Sequence, residues 1–255
     1  MISEPKYECM ENKDTVLEML VQHVEKTPDR TAVICGLDER VSFAELWVLS
    51  GRIYAWLKSK EIGAEDIVMF CLPRGTGLYA CIIGTMRAGA AFVLTETDND
   101  QKRTDYIRRD CGCNLYVDEN DWDEIIHTAP QEGYEDIRLH ALCYIAYTSG
   151  TTAKPKGILH EYGSLENAWR SVRMNGVPLI TNEDTFLAMS PMNFVSLPII
   201  FAMSCAFGNA VAIMPYTYSV SEESLLTRKY VAQSKSFIPS SRSSPAKARP
   251  QDGDA

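Results

Sequence analysis

The spacing of apolar positions changes several times along the chain, and each change marks an element. Val16, Leu17, Leu20, Val21 and Val24 recur at helical intervals. Thr15 and Glu18 stand where a capping box would, so the spacing predicts a first helix ending near Pro28. Residues 31–35 read as a strand, and Gly36 opens a polar turn before Val41. Ser42 and Glu45 repeat the capping-box form ahead of a helix carrying Leu46, Leu49, Ile53, Ala55, Trp56 and Leu57, which Gly63 punctuates. From there the two kinds of segment alternate. Residues 66–72, 90–94, 114–117 and 142–147 are predicted strands, while 77–88 and 100–110 are predicted helices. A helix over 165–174 and a strand over 184–189 continue the series. Residues 196–214 then read as a buried helix, a Gly-Asn turn and a strand over 210–214. Continuous apolar strands that alternate with helices imply an α/β fold, in which a parallel sheet is covered by helices on both faces.

Composition narrows this little: 255 residues, 45% hydrophobic and 23% charged, suit one large globular domain. A helix-like segment over 222–230 ends that domain, which gives expected boundaries of 1–230. Residues 231–255, rich in Ser and Pro and without a period, read as a disordered tail. The net charge of −9 argues against a nucleic-acid or anionic-lipid surface but leaves room for a local basic site. Pro198, Ser204, Gly208 and Asn209 interrupt the longest apolar run, so no membrane span is expected. The polar, acidic start has no signal-peptide pattern, and a cytoplasmic location is expected. Eight cysteines match no CxxC or zinc spacing and read as reduced thiols. Cys111 and Cys113, flanking Gly112, read as a helix-to-strand turn in preference to a metal or redox pair.

The densest chemistry lies directly behind the strand at 142–147, in AYTSGTTAKPKG, residues 146–157. A loop leaving the C-terminal end of a parallel strand is where open α/β sheets bind ligands. Thr148, Ser149, Thr151 and Thr152 offer hydroxyls beside their amide groups, and Gly150 permits close backbone approach. Such a loop can wrap phosphate oxygens while Lys154 and Lys156 oppose their charge, with Pro155 stiffening the path between them. A Walker A loop is excluded, because Pro155 stands where that pattern needs its second glycine. Other chemistries find no support. The four histidines are scattered, there is no G-x-S-x-G elbow, and the acidic run 118–124 reads as a solvated helix start, without the EF-hand glycine.

YTSGTTAKPKG, residues 147–157, resembles the phosphate loop of the adenylate-forming superfamily, YTSGTTGKPKG, at ten of eleven positions. Two earlier segments support the resemblance in the right order. VSFAEL, residues 41–46, is similar to the family's L-[ST]-Y-x-E-L element. MRAGAAFVLTE, residues 86–96, is similar to L-K-A-G-A-A-Y-V-P-L-D, and Arg103 stands where the family carries an arginine seven residues later. The variety most similar is the adenylation domain of nonribosomal peptide synthetases, with acyl-CoA synthetases in the same superfamily. The resemblance implies parallel-sheet layers flanked by helices, here as the incomplete N-terminal portion of that fold. It also implies a loop in which Thr148, Ser149, Gly150, Thr151, Thr152, Lys154, Lys156 and Gly157 hold the phosphates of ATP. In the family a carboxylate then attacks the α-phosphorus, giving an acyl-adenylate and pyrophosphate.

By resemblance the cofactors are ATP and Mg2+, and the partners are a small carboxylic acid, a carrier-protein or coenzyme A thiol and a complementing chain. Three departures refine this. Ala153 replaces the loop's second glycine, at a strain cost of about 1–2 kcal/mol if that position needs a positive φ. Tyr162 takes a place where histidine is common. The family's F-D-x-S element, whose aspartate binds a substrate ammonium, is here NFVS, residues 193–196. Phe194 removes that counter-ion and leaves aryl, fatty and other acids open beside amino acids. No counterpart of the family's Y-G-P-T-E element, ribose-binding aspartate or catalytic lysine is present, so no catalytic residue or metal ligand is assigned. Two functions follow: an acid-activating ligase present as its N-terminal part and inactive alone, or a phosphate-binding remnant without turnover. Either form is expected to expose apolar surface and to self-associate.

Overall fold

The computed structural model describes residues 14–148, 154–171, 180–192 and 194–214, together with the backbone of 173–174 and 177–178. The expectations for Ser149 to Ala153, for the helix at 222–230 and for the tail lie outside the described residues.

Both anticipated capping boxes form. Thr15 caps α1 (Val16–Lys26), its side chain accepting from the Glu18 amide while Glu18 accepts from the Thr15 amide. Ser42 and Glu45 do the same for α2 (Phe43–Ser59). Between them β1 (Thr31–Cys35) turns back into β2 (Glu39–Ser42) as an antiparallel pair, where the sequence suggested only a turn. The short, polar β2 has no apolar period of its own and takes its conformation from its pairing with β1.

The alternation then runs through β3 (Ile67–Phe70), α3 (Thr76–Arg87), β4 (Ala91–Leu94), α4 (Gln101–Cys111) and β5 (Leu115–Val117). Asp118 caps a short turn that leads into α5 (Trp122–His127), which accounts for the acidic run. A long connection leads to β6 (Leu142–Thr148), β7 (Lys156–Glu161) and α6 (Tyr162–Arg170). A two-residue pair follows, β8 (Arg173–Met174) with β9 (Val177–Pro178), then β10 (Thr185–Ala188), α7 (Ser196–Phe207) and β11 (Ala210–Ile213). The helix expected to reach residue 174 therefore stops at Arg170. The sequence between β8 and β9 is Asn-Gly, the strongest short hairpin signal, and here it outweighs helical spacing.

The strands form two larger sheets. One has the order β5-β3-β4-β6-β7, parallel except for β7; the other has the order β10-β11-β1-β2, parallel except for β2. Helix α3 contacts β1 of one sheet and β3 and β4 of the other, and it is buried along nearly its whole length. At its end the buried Arg87 guanidinium lies 3.7 Å from the centre of the Trp47 ring. It donates to the carbonyls of Trp47, Gln131 and Gly133 and to the Ser50 hydroxyl, which binds the long connection to the helical layer. Burial lowers its pKa to about 10. Apolar surface remains outside: Ile158 and Leu159 on edge strand β7 are 47% and 68% exposed. Among the described residues no helix is long and apolar enough to cross a membrane.

Candidate functional site

The loop singled out in the sequence joins β6 to β7, so it closes a hairpin, although β6 is parallel to its other neighbour, β4. Register places Thr148 opposite Lys156 and Tyr147 opposite Gly157. The two ends of the loop are thus held side by side by ladder hydrogen bonds. β6 is buried from Cys143 to Tyr147 and emerges at Thr148. The Tyr144 ring stacks on Phe92 at 5.5 Å and on His160 of β7 at 4.4 Å.

Gly157 is glycine for a steric reason. A Cβ there would meet Ile145 Cγ2 and Tyr147 Cζ at 3.0 Å and Tyr147 Oη at 3.1 Å. The absent side chain lets the Tyr147 ring lie across the hairpin. Its hydroxyl donates to Asp110 Oδ2 at 2.7 Å on the last turn of α4. Burial and the neighbouring carboxylate push the Tyr147 pKa up and keep the phenol protonated. Lys154 and Lys156 are exposed on either side of buried Pro155. Among the described residues no carboxylate lies within ion-pair distance of either lysine. The structure therefore positions Thr148, Lys154, Lys156 and Gly157 at the loop's ends; Ser149, Gly150, Thr151 and Thr152 lie outside the described residues.

A second set of residues meets the same strand from the other side. The connection from β10 to α7 is held by two buried charged groups. Arg74 donates to the carbonyls of Ala188 and Ser190, and Glu96 Oε1 accepts from the Met192 amide at 2.7 Å. Glu96 ends the AGAAFVLTE segment, so that element anchors the α7 entry. Phe194 is 57% exposed and lines a narrow cleft with Phe92, Leu94, Tyr144, Met192 and Pro198. The cleft thus borders β6 directly before the loop.

Tyr162 is accounted for by packing: it is fully buried and donates to the Ala90 carbonyl at 2.8 Å. Arg103 lies on the first turn of α4, two turns before Asp110 on the same face of that helix. A larger cavity of about 670 Å³ opens at the start of α3, lined by Cys35, Glu39, Leu49, Arg74, Thr76 and Trp122. It does not include the loop. Among the described residues no three His, Cys, Asp or Glu side chains converge as metal ligands, and no residue is assigned to magnesium.

The sequence matches the AMP-binding enzyme family over residues 20–235, which spans most of the chain and includes the hairpin and the α7 entry. The chain belongs to the AMP-binding enzyme family. It is 31% identical over 184 residues to Gramicidin S synthase 2 of Aneurinibacillus migulanus, covering 64% of this chain and 4% of that protein. It is 28% identical over 215 residues to Surfactin synthase subunit 1 of Bacillus subtilis (strain 168), covering 79% of this chain and 6% of that protein. The chain therefore spans a small fraction of the curated relatives it matches. Among solved structures it resembles the N-terminal subdomain of Klebsiella oxytoca NpsA in complex with 3-hydroxyanthranilyl-AMSN. The TM-score is 0.73 at 17% identity, over 84% of this chain and 57% of that one. The AMPPNP-bound form of the nonribosomal peptide synthetase FmoA3 gives 0.72 at 22% identity, over 84% of this chain and 24% of that one. These likenesses show the fold: α/β, with parallel sheets flanked by helices, as in the N-terminal subdomain of adenylate-forming enzymes.

Sequence reasoning missed three groups that shape the site. Asp110 sits at the end of a polar helix with no motif, and only the tertiary contact to Tyr147 reveals it. Glu96 ends the segment that resembles a family element, and Arg74 follows β3 outside any motif. Neither position shows on its own that both reach the segment from 188 to 192.

Proposed function

We propose that this chain is the phosphate-gripping N-terminal part of an ATP-dependent ligase that activates a carboxylic acid as its adenylate. The observation that carries the reading is the hairpin. It brings Thr148 beside Lys156, leaves Lys154 and Lys156 exposed without a carboxylate partner among the described residues, and does so at the loop that resembles the family's phosphate loop. The proposed roles follow from chemistry. The hydroxyls and amides of Thr148, Ser149, Gly150, Thr151 and Thr152 donate to phosphate oxygens, Lys154 and Lys156 offset their charge, and Gly157 fixes the stem. ATP supplies the electrophilic α-phosphorus, with magnesium as the counter-ion of the polyphosphate.

The proposed acid meets the wall between β6 and the start of α7, where the narrow cleft beside Tyr144, Met192 and Phe194 has to open to admit it with its carboxylate toward the loop. An apolar Phe194 there favours an aryl or aliphatic acid over one bearing an ammonium group. The acceptor is the thiol of a carrier protein or of coenzyme A, in the cytoplasm. The domain boundaries proposed are 1–230 for the fold and 231–255 for the tail.

Acid-dependent exchange of pyrophosphate into ATP tests the reading, with a panel of amino, aryl and fatty acids. Exchange above background with an aryl or fatty acid supports the ligase. Flat exchange with ATP still bound assigns these 255 residues to a phosphate-binding module without turnover, the second reading. ATP that binds no better than adenosine overturns both.

A further inference from the structure

The segment joining α4 to β5 carries two thiols that pack at the edge of the Met69, Val93 and Ile107 cluster and that the nucleotide reading does not use. Cys111 closes α4, Gly112 follows at φ 62° and ψ 38°, and Cys113 leads into β5. The left-handed turn at Gly112 bends the chain back within one residue, so the cysteines on its two sides stay close in space. Both are half-buried, whereas Cys81, Cys143 and Cys205 are sealed in the core.

The surroundings differ for the two sulfurs. Arg108, one turn back on α4, lies 4.9 Å from the centre of the Tyr116 ring on β5 and acts on Cys113. Its carbonyl receives the Cys111 thiol at 3.6 Å. The neighbouring Cys111 thiol and the charge of Arg108 draw the Cys113 pKa down to about 7, while the same pairing pushes Cys111 up. The other titratable groups around the pair are Asp110 and Tyr106 of α4, Tyr116 of β5 with Cys71 behind it, and Tyr147 of β6. Asp110, the residue before Cys111, is the one that receives the Tyr147 hydroxyl.

We propose that Cys111 and Cys113 form an oxidisable dithiol, closed to an intrachain disulfide by a hydroperoxide, and that closure weakens the Asp110–Tyr147 bond at the stem of the loop. The Cys113 thiolate attacks the outer peroxide oxygen; the O–O bond breaks, sulfur gives up two electrons, and water or an alcohol leaves after protonation. Cys111 then attacks the resulting sulfenic acid. The S–S bond forms, the S–O bond breaks, the Cys111 proton is lost and hydroxide departs as water. A ring closed across one glycine requires the two Cβ atoms to approach, which draws Cys111 out of the last turn of α4 and shifts Asp110 with it. The disulfide stands independently of the nucleotide reading, and only its consequence for ATP rests on it.

The test treats the full chain with hydrogen peroxide, alkylates free thiols and maps peptides. The expected product is about 2 Da lighter in the peptide containing both residues, reflecting loss of two hydrogens, with Cys35 and Cys71 still alkylated. Cys111→Ser should stop at a sulfenic acid on Cys113 that dimedone traps. Arg108→Gln should slow the reaction at pH 7 about threefold or more, with the difference closing at alkaline pH. Amide hydrogen exchange over 146–148 should quicken in the oxidised chain and return on reduction. Oxidation at Cys35 or Cys71 while Cys111 and Cys113 remain alkylated, or a disulfide between two chains, overturns the proposal. A mapped disulfide with unchanged exchange over 146–148 overturns the coupling to the loop. The wild-type mapping needs no variant, so a substitution that fails to fold leaves the test standing.

Discussion

Two surfaces meet on β6, and they depart from the family pattern by very different amounts. The hairpin side keeps the loop sequence at ten of eleven positions and holds its stem by register, by Gly157 and by the Tyr147–Asp110 bond. The α7 side keeps its scaffold, since Arg74 and Glu96 fix the segment from 188 to 192, but exposes Phe194 and Val195 at the helix entry. The difference separates two tasks. Holding a polyphosphate requires backbone amides and cations in a fixed geometry, which only a narrow set of residues supplies. Recognising an acid depends on a pocket wall, where one side chain changes the preferred chemistry without disturbing the frame.

The comparison is broken most severely at Gly157. Gly157→Ala places a methyl group 3.0 Å from Ile145 and Tyr147 and is expected to cost about 2 kcal/mol, read by denaturant unfolding, with loss of nucleotide binding. A variant as stable as wild type would show that the hairpin gives way easily. Tyr147→Phe removes one hydrogen bond to a carboxylate and is expected to cost about 1 kcal/mol. Hydrogen exchange should rise in β6 and β7 and stay unchanged in α7; equal effects on both sides would remove the distinction.

The hairpin should also be acid-sensitive. Burial lowers the His160 pKa from 6.5, so the folded state favours the neutral ring stacked on Tyr144. That stabilisation is complete above pH 6.5 and is lost as pH falls below it toward the depressed folded value. The wild type should lose more stability between pH 8 and pH 5 than His160→Gln does; parallel profiles would contradict the assignment.

The smallest change in stability is expected on the α7 side. Phe194→Asp removes an exposed ring and adds a negative charge before the helix, for a gain of about 0.5 kcal/mol. Its larger effect is on selectivity: acids bearing an amine should bind better in the variant and aryl acids worse. An unchanged acid preference would place the acid elsewhere.

Much of this was legible from residue order because the signals were local. The capping boxes at Thr15 and Ser42, the continuous apolar strands and the Gly-Asn turn after α7 each depend on a few neighbouring residues. β7 was not legible, since Ile158 and Leu159 are exposed and its conformation comes from pairing with β6. β2 was hidden for the same reason. The loop could be recognised by its residues, but the contact that steadies its stem could not. Asp110 and Tyr147 stand 37 positions apart, and only the fold brings them together. The two-sheet arrangement likewise depends on α3 packing against both, whereas the sequence pattern alone suggested one sheet.

The central claim is that the hairpin loop grips nucleotide phosphates. Calorimetric titration of the chain with ATP and with adenosine, for the wild type and for the double variant Lys154→Ala, Lys156→Ala, tests it most directly. The account predicts that ATP binds far more tightly than adenosine. It also predicts that the double variant loses about tenfold or more of that affinity with its unfolding midpoint unchanged. Equal binding of ATP and adenosine, or equal ATP affinity in the double variant, would contradict it.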